Sequence, residues 1–149
     1  MKKLILFLTL LFCFTTVTIS KETPKSKTGR IIVEITNIES EEGQVLSHIF
    51  NNEDDFPTKS KRAIMWRSGK PENGKCILIF DVLPYGEYAF TTHHDVNENY
   101  LMDKTWLGFP DEGWGVSNDA EAPMILPKYD DAKVILNSPE LKIRITMRY

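Results

Sequence analysis

Cysteine is scarce in this chain of 149 residues, with only Cys13 and Cys76 present. That excludes a disulfide framework, so the domain has to be held by an apolar core, with whatever help a bound ion supplies. Histidine is almost as rare, and His48, His93 and His94 form no Cys–His or His-x-His cluster from which to build a zinc site. His93 and His94 are neighbours in a strand-like run, so they point to opposite faces and cannot share one ion without a bend. Also missing are a serine nucleophile elbow, a phosphate-cradling glycine loop and a dinucleotide fingerprint. Amphipathic helical periodicity of useful length, internal repeats and low-complexity tracts are absent as well.

The one long apolar run lies at the start. Lys2 and Lys3 precede an apolar stretch from Leu4 to Phe14, and Thr18-Ile19-Ser20 places small residues for cleavage before Lys21. This is the pattern of a secretory signal peptide over residues 1–20. The run is too short to span a bilayer comfortably, and polar threonines end it, so no transmembrane segment is expected after processing. Cys13 sits inside the apolar run behind bulky Phe12, where lipid attachment wants a small residue. The chain is therefore read as exported, to the periplasm or beyond. Processing removes two lysines and no acid, leaving 16 basic and 21 acidic residues and a net charge of −5. That mild acidity argues against nucleic acid and anionic membrane surfaces as partners.

Residues 21–28 (KETPKSKT) are polar and read as a flexible leader, and residues 29–149 as a single domain. RIIVEIT opens it with alternating faces, Ile31, Val33 and Ile35 against Ile32, Glu34 and Thr36. Further strands are expected over Gln44–Phe50, Ala63–Arg67, Lys75–Val82, Glu87–His94 and Ala132–Asn137, and over a last segment with Leu141, Ile143, Ile145 and Met147 inward. Between the fourth and fifth, Leu83-Pro84-Tyr85-Gly86 reads as a tight reversal, with Pro84 presetting its φ and Gly86 free to take a positive one. About seven short strands indicate an all-β fold, an antiparallel β-sandwich of transthyretin or immunoglobulin type. Cys76 lies in the apolar run CILIF, where it serves as a small buried hydrophobe.

One segment lacks such periodicity. His94–Asn118 is long enough that a functional loop is the expectation. Asp95, Asn97, Asn99 and Asp103 fall at the first, third, fifth and ninth positions of an EF-hand-like calcium loop, with the Leu101 carbonyl at the seventh. Two carboxylates, two amides and a carbonyl make a shell suited to calcium or a similar hard cation. The sixth position, which favours glycine for its sharp turn, is Tyr100. The twelfth, where glutamate closes the shell, is Trp106, so Asp111 or Glu112 would have to close it instead. The competing reading is a loop of Asx turns in which these side chains bond their own backbone. Loop carboxylates such as Asp95, Asp111 and Glu112 also admit a hydrolase acting on extracytoplasmic glycans or peptides, provided two of them flank an open cleft. Trp106, Phe109 and Trp114, with Tyr100 and Tyr85, offer either a stacking surface for a glycan or peptide or a small core beneath the loop.

Three motifs combine: Leu83-Pro84-x-Gly86-x-Tyr88-Ala89, then His94-Asp95-x-Asn97-x-Asn99-x-x-x-Asp103, then Gly108-x-Pro110-x-Glu112-Gly113-x-Gly115-x-Ser117-Asn118. Together they resemble the bacterial secreted family called domain of unknown function 2141, over most of the chain from about Gly29. The first motif is also similar to prealbumin-like and collagen-adhesin B-type sandwich repeats. The resemblance implies an exported β-sandwich without an assigned activity. The expectation carried forward is a non-enzymatic exported module whose loop is ordered by a cation, serving in binding or as a surface-associated structural unit.

Overall fold

The structure, a computed structural model, describes residues 27–121 and 126–149. The signal peptide and residues 21–26 of the leader lie outside the described residues.

Eight strands are found among the described residues: β1 (Thr28–Thr36), β2 (Gln44–Phe50), β3 (Met65–Gly69), β4 (Lys75–Pro84), β5 (Gly86–Asp95), β6 (Trp114–Val116), β7 (Val134–Leu136) and β8 (Glu140–Thr146). One helical turn, α1 (Tyr129–Ala132), precedes β7. They form a three-stranded sheet in the order β4-β1-β8 and a five-stranded sheet in the order β3-β2-β5-β6, with β7 also on β5. The chain is an all-β sandwich.

Alternation places the core between the sheets. Ile31, Val33 and Ile35 of β1 are fully buried, and Cys76, Leu78 and Phe80 of β4 join them. Phe90 from β5 meets Phe80 edge to face, 5.2 Å between centroids. Each such side chain contributes about 1.5–3 kcal/mol by leaving water. A second cluster of Phe50, Phe56, Ala89, Val116, Ala120 and Ala132 is built from β2, β5, β6, α1 and the intervening loops. On β8 only Ile145 is fully buried, and Leu141 and Ile143 are half-buried because β8 is a sheet edge.

The structure departs from the sequence expectations in several places, among them β7, which is confined to Val134–Leu136 because Ala132 closes the helical turn α1. β8 runs parallel to β1, although antiparallel pairing was expected throughout. The segment 83–86 is not a hairpin reversal: β4 pairs with β1 and β5 with β2, so these residues carry the chain from one sheet to the other. Gly86 does not take positive φ; Val82 does, at 59°. The Leu-Pro-x-Gly-x-Tyr motif has another basis, since the Tyr88 hydroxyl donates to the Pro84 carbonyl at 2.6 Å and pins the crossing. β3 begins two residues later than expected, behind a 3-10 turn at Ser60–Arg62. Finally, β6 emerges inside the supposed loop. It is only three residues long and shows no alternation, and Gly115 in its middle lets β8 approach: an added Cβ would lie 2.6 Å from Ile145.

Candidate functional site

β5 ends by delivering two side chains to opposite faces. His94 is buried, with Nε2 2.8 Å from the Glu42 carbonyl and Nδ1 2.9 Å from the Tyr149 hydroxyl. A carbonyl only accepts, so Nε2 carries the proton and Nδ1 accepts from Tyr149. His94 thus ties the β1–β2 connection to the C-terminus.

Asp95 is 0% exposed and takes three donors. Its Oδ1 accepts the Asn99 N–H at 3.0 Å, and its Oδ2 accepts the Tyr100 N–H and the Gln44 amide, each at 3.0 Å. Glu112, 9% exposed, braces the loop from its other end. It accepts the Val96 N–H at 3.1 Å and the Asp103 N–H at 3.2 Å. Burial raises the Glu112 carboxyl above its ordinary range, the two N–H bonds oppose that, and the Asp103 and Asp95 charges add to the rise. Four buried carboxylate oxygens therefore each hold one backbone N–H of the loop, which offsets the cost of their burial.

Asp103 lies between the two asparagines. The Asn97 amide donates to it at 2.6 Å and the Asn99 amide at 3.0 Å. The amide oxygens turn inward: Asn97 Oδ1 accepts the Asn99 N–H at 3.1 Å and Asn99 Oδ1 accepts the Leu101 N–H at 2.7 Å. These are Asx turns. Tyr100 sits at φ 63°, the left-handed region that glycine would occupy most cheaply, and Glu98 at φ 56°. Lys70 anchors the loop from outside through a salt bridge to Glu98 and a 2.8 Å bond to the Gly43 carbonyl.

The structure thus gathers Asp95, Asn97, Asn99, Asp103 and Glu112 in one network. Asp111 is exposed, and its N–H bonds the Asp103 carbonyl at 2.9 Å. Among the described residues, no three His, Cys, Asp or Glu side chains converge to hold a metal. A cation shell would draw on the Asn97 and Asn99 oxygens and the Leu101 carbonyl beside the carboxylates.

Beyond the network, residues 103–111 fold into a small hairpin. The Thr105 N–H bonds the Phe109 carbonyl and the Gly108 N–H bonds the Thr105 carbonyl, both at 2.9 Å. At its tip Trp106 is 91% and Phe109 65% exposed, with Leu107 between them. The expected aromatic group divides here. Trp114 is half-buried in β6 with the Arg148 guanidinium 5.5 Å over its ring, and Tyr85 packs against the main core. Tyr100 instead meets Trp66 of β3 edge to face at 6.3 Å. Trp66 was not singled out in the sequence, where its place in a short strand gave no signal of proximity to the loop.

His48 and His93 stack on the same sheet, centroids 6.1 Å apart and planes 5° from parallel. His93 is buried, and its Nε2 has no hydrogen-bond partner. Burial pushes this imidazole down to about 4 and His48 pushes the same way, while Asp95 and Asp103 oppose.

No curated protein and no solved structure matches the chain. A family match is found over residues 33–144, the greater part of the chain, spanning the crossing motif, the Asp/Asn loop and the Glu112–Asn118 segment. The chain belongs to the family described as an uncharacterized protein conserved in bacteria, domain of unknown function 2141.

Proposed function

We propose that this protein is an exported, non-enzymatic binding module whose Asp/Asn loop, ordered by calcium or a similar hard cation, presents an apolar hairpin tip to a polypeptide partner. The observation that carries the reading is Trp106, 91% exposed on a hairpin whose base is tied by buried Glu112, while buried Asp95 holds the Asn99–Tyr100 turn that leads into it. Large aromatic surface left in water on a braced loop is poised for burial against a partner at little entropic cost. Leu101 and Leu107, both exposed beside the aromatics, favour an apolar polypeptide surface over a sugar. Tyr100 in the left-handed region and the all-oxygen donor set support the cation. Apart from Asp95 Oδ2, which accepts two donors, each amide or carboxylate oxygen of the set retains a lone pair after accepting one N–H. A hydrolase acting through loop carboxylates is the weaker reading, because the oxygens of Asp95 and Glu112 already hold backbone N–H groups.

The test uses protein isolated from the native host, whose chain begins at Lys21 on this reading. An intact mass that retains residues 1–20 overturns export. Cross-linking from the hairpin tip should capture an exported polypeptide, and Trp106→Ala should abolish capture while leaving the melting temperature unchanged. Capture that is indifferent to Trp106→Ala, or tip fluorescence that responds to glycans alone, overturns the polypeptide assignment.

A further inference from the structure

β3 is an edge: its one strand neighbour among the described residues is β2. A strand edge exposes unpaired N–H and C=O groups and templates a further strand. Along this edge residues 63–68 border an open, shallow surface, and Trp66 among them is 49% exposed. The Trp66 carbonyl is occupied by the guanidinium of Arg67 at 2.9 Å.

The chain segment that forms this edge is rich in basic residues. Lys59, Lys61, Arg62, Arg67 and Lys70 fall within twelve residues that contain no acid, in a chain that is net negative. Asp55 pairs with Lys59 and Arg62, and Glu98 with Lys70. Lys61 and Arg67 meet no carboxylate among the described residues. A basic edge repels the same edge of a second copy and attracts an acidic strand, so the charge that blocks self-pairing also selects a partner.

From this we infer that β3 accepts an extended acidic polypeptide segment as a sixth strand of its sheet. Main-chain hydrogen bonds along Met65–Gly69 would supply affinity, with the Arg67 guanidinium leaving the Trp66 carbonyl to meet an acidic side chain. Acidic side chains reaching Lys61 and Arg67 would supply selectivity, and an apolar side chain between them would cover Trp66. Trp66 touches Tyr100 of the neighbouring loop, but the Trp106 hairpin takes no part in this pairing, and either reading can fail without the other.

The probe is a seven-residue peptide of alternating Glu and Val with blocked ends, compared with its Lys-for-Glu counterpart. Saturable shifts of the Met65–Gly69 backbone amides are expected in nitrogen-15 NMR titrations with the Glu peptide and not with the Lys peptide. Lys61→Glu, which breaks no hydrogen bond or ion pair among the described residues, should weaken binding by roughly threefold, as loss of a screened surface pair does. The double variant Lys61→Glu/Arg67→Gln should weaken it further, with folding checked by thermal melt. Equal response to the two peptides, shifts confined to residues 101–109, or no saturable shift at millimolar peptide would overturn the proposal.

Discussion

Individual residues here are committed to holding backbone in place. Tyr88 shows how a side chain fixes a topology: its ring joins the core and its hydroxyl closes on the Pro84 carbonyl where the chain changes sheets. Removing that hydroxyl leaves the carbonyl without its donor at a half-buried position. Tyr88→Phe should therefore cost about 1 kcal/mol, measured as a lower urea midpoint at unchanged slope. An unaltered midpoint would mean that water replaces the hydroxyl without loss. Gly86, two residues earlier, carries no comparable demand, because its backbone lies outside the left-handed region.

At the scale of elements, the loop from Val96 to Asp111 is held at both ends by carboxylates and in its middle by Asx turns. The Asp103 and Asp95 charges push the Glu112 carboxyl upward, and a cation among them would relieve that repulsion. An ion that binds only the folded loop stabilises by about 2.7 kcal/mol at a hundredfold excess over Kd. Millimolar calcium should then raise the melting temperature and a chelator lower it, and Asp103→Asn should remove the response. A melting curve indifferent to calcium, magnesium and chelator would leave N–H donors as the loop's whole support.

For the whole molecule, the buried imidazole of His93 makes stability depend on pH. Its folded value of about 4 lies below the ordinary 6.5 of an unfolded histidine. The unfolded chain therefore takes up the proton first as the solution is acidified. The contribution is fully present above pH 6.5 and is lost as pH falls toward 4. It amounts to roughly 3 kcal/mol across that window. His48, also lowered by burial, acts in the same direction. Melting temperatures should decline from pH 6.5 to 4, and His93→Phe should flatten the decline. A wild-type profile already flat over that range would show that His93 keeps its proton in the fold.

What the sequence determined alone is local. The period-2 alternation of RIIVEIT and LKIRITMRY identified strands and their inward faces, because each face is set by the pleat and needs no knowledge of a partner. The spacing of Asp95, Asn97, Asn99 and Asp103 identified side chains that meet, since all lie within one turn-rich stretch. Tertiary structure alone decided which atoms of those side chains face one another, and so whether an oxygen meets an N–H. It also decided the parallel pairing of β1 with β8, the sheet crossing at Leu83–Gly86 and the meeting of Trp66 with Tyr100. β6 is the clearest case: Trp114-Gly115-Val116 carries no strand pattern, and becomes a strand only because β5 offers it an edge and β8 packs against its glycine. Such pairings join residues far apart in the chain, and their energy lies in contacts that no local pattern records.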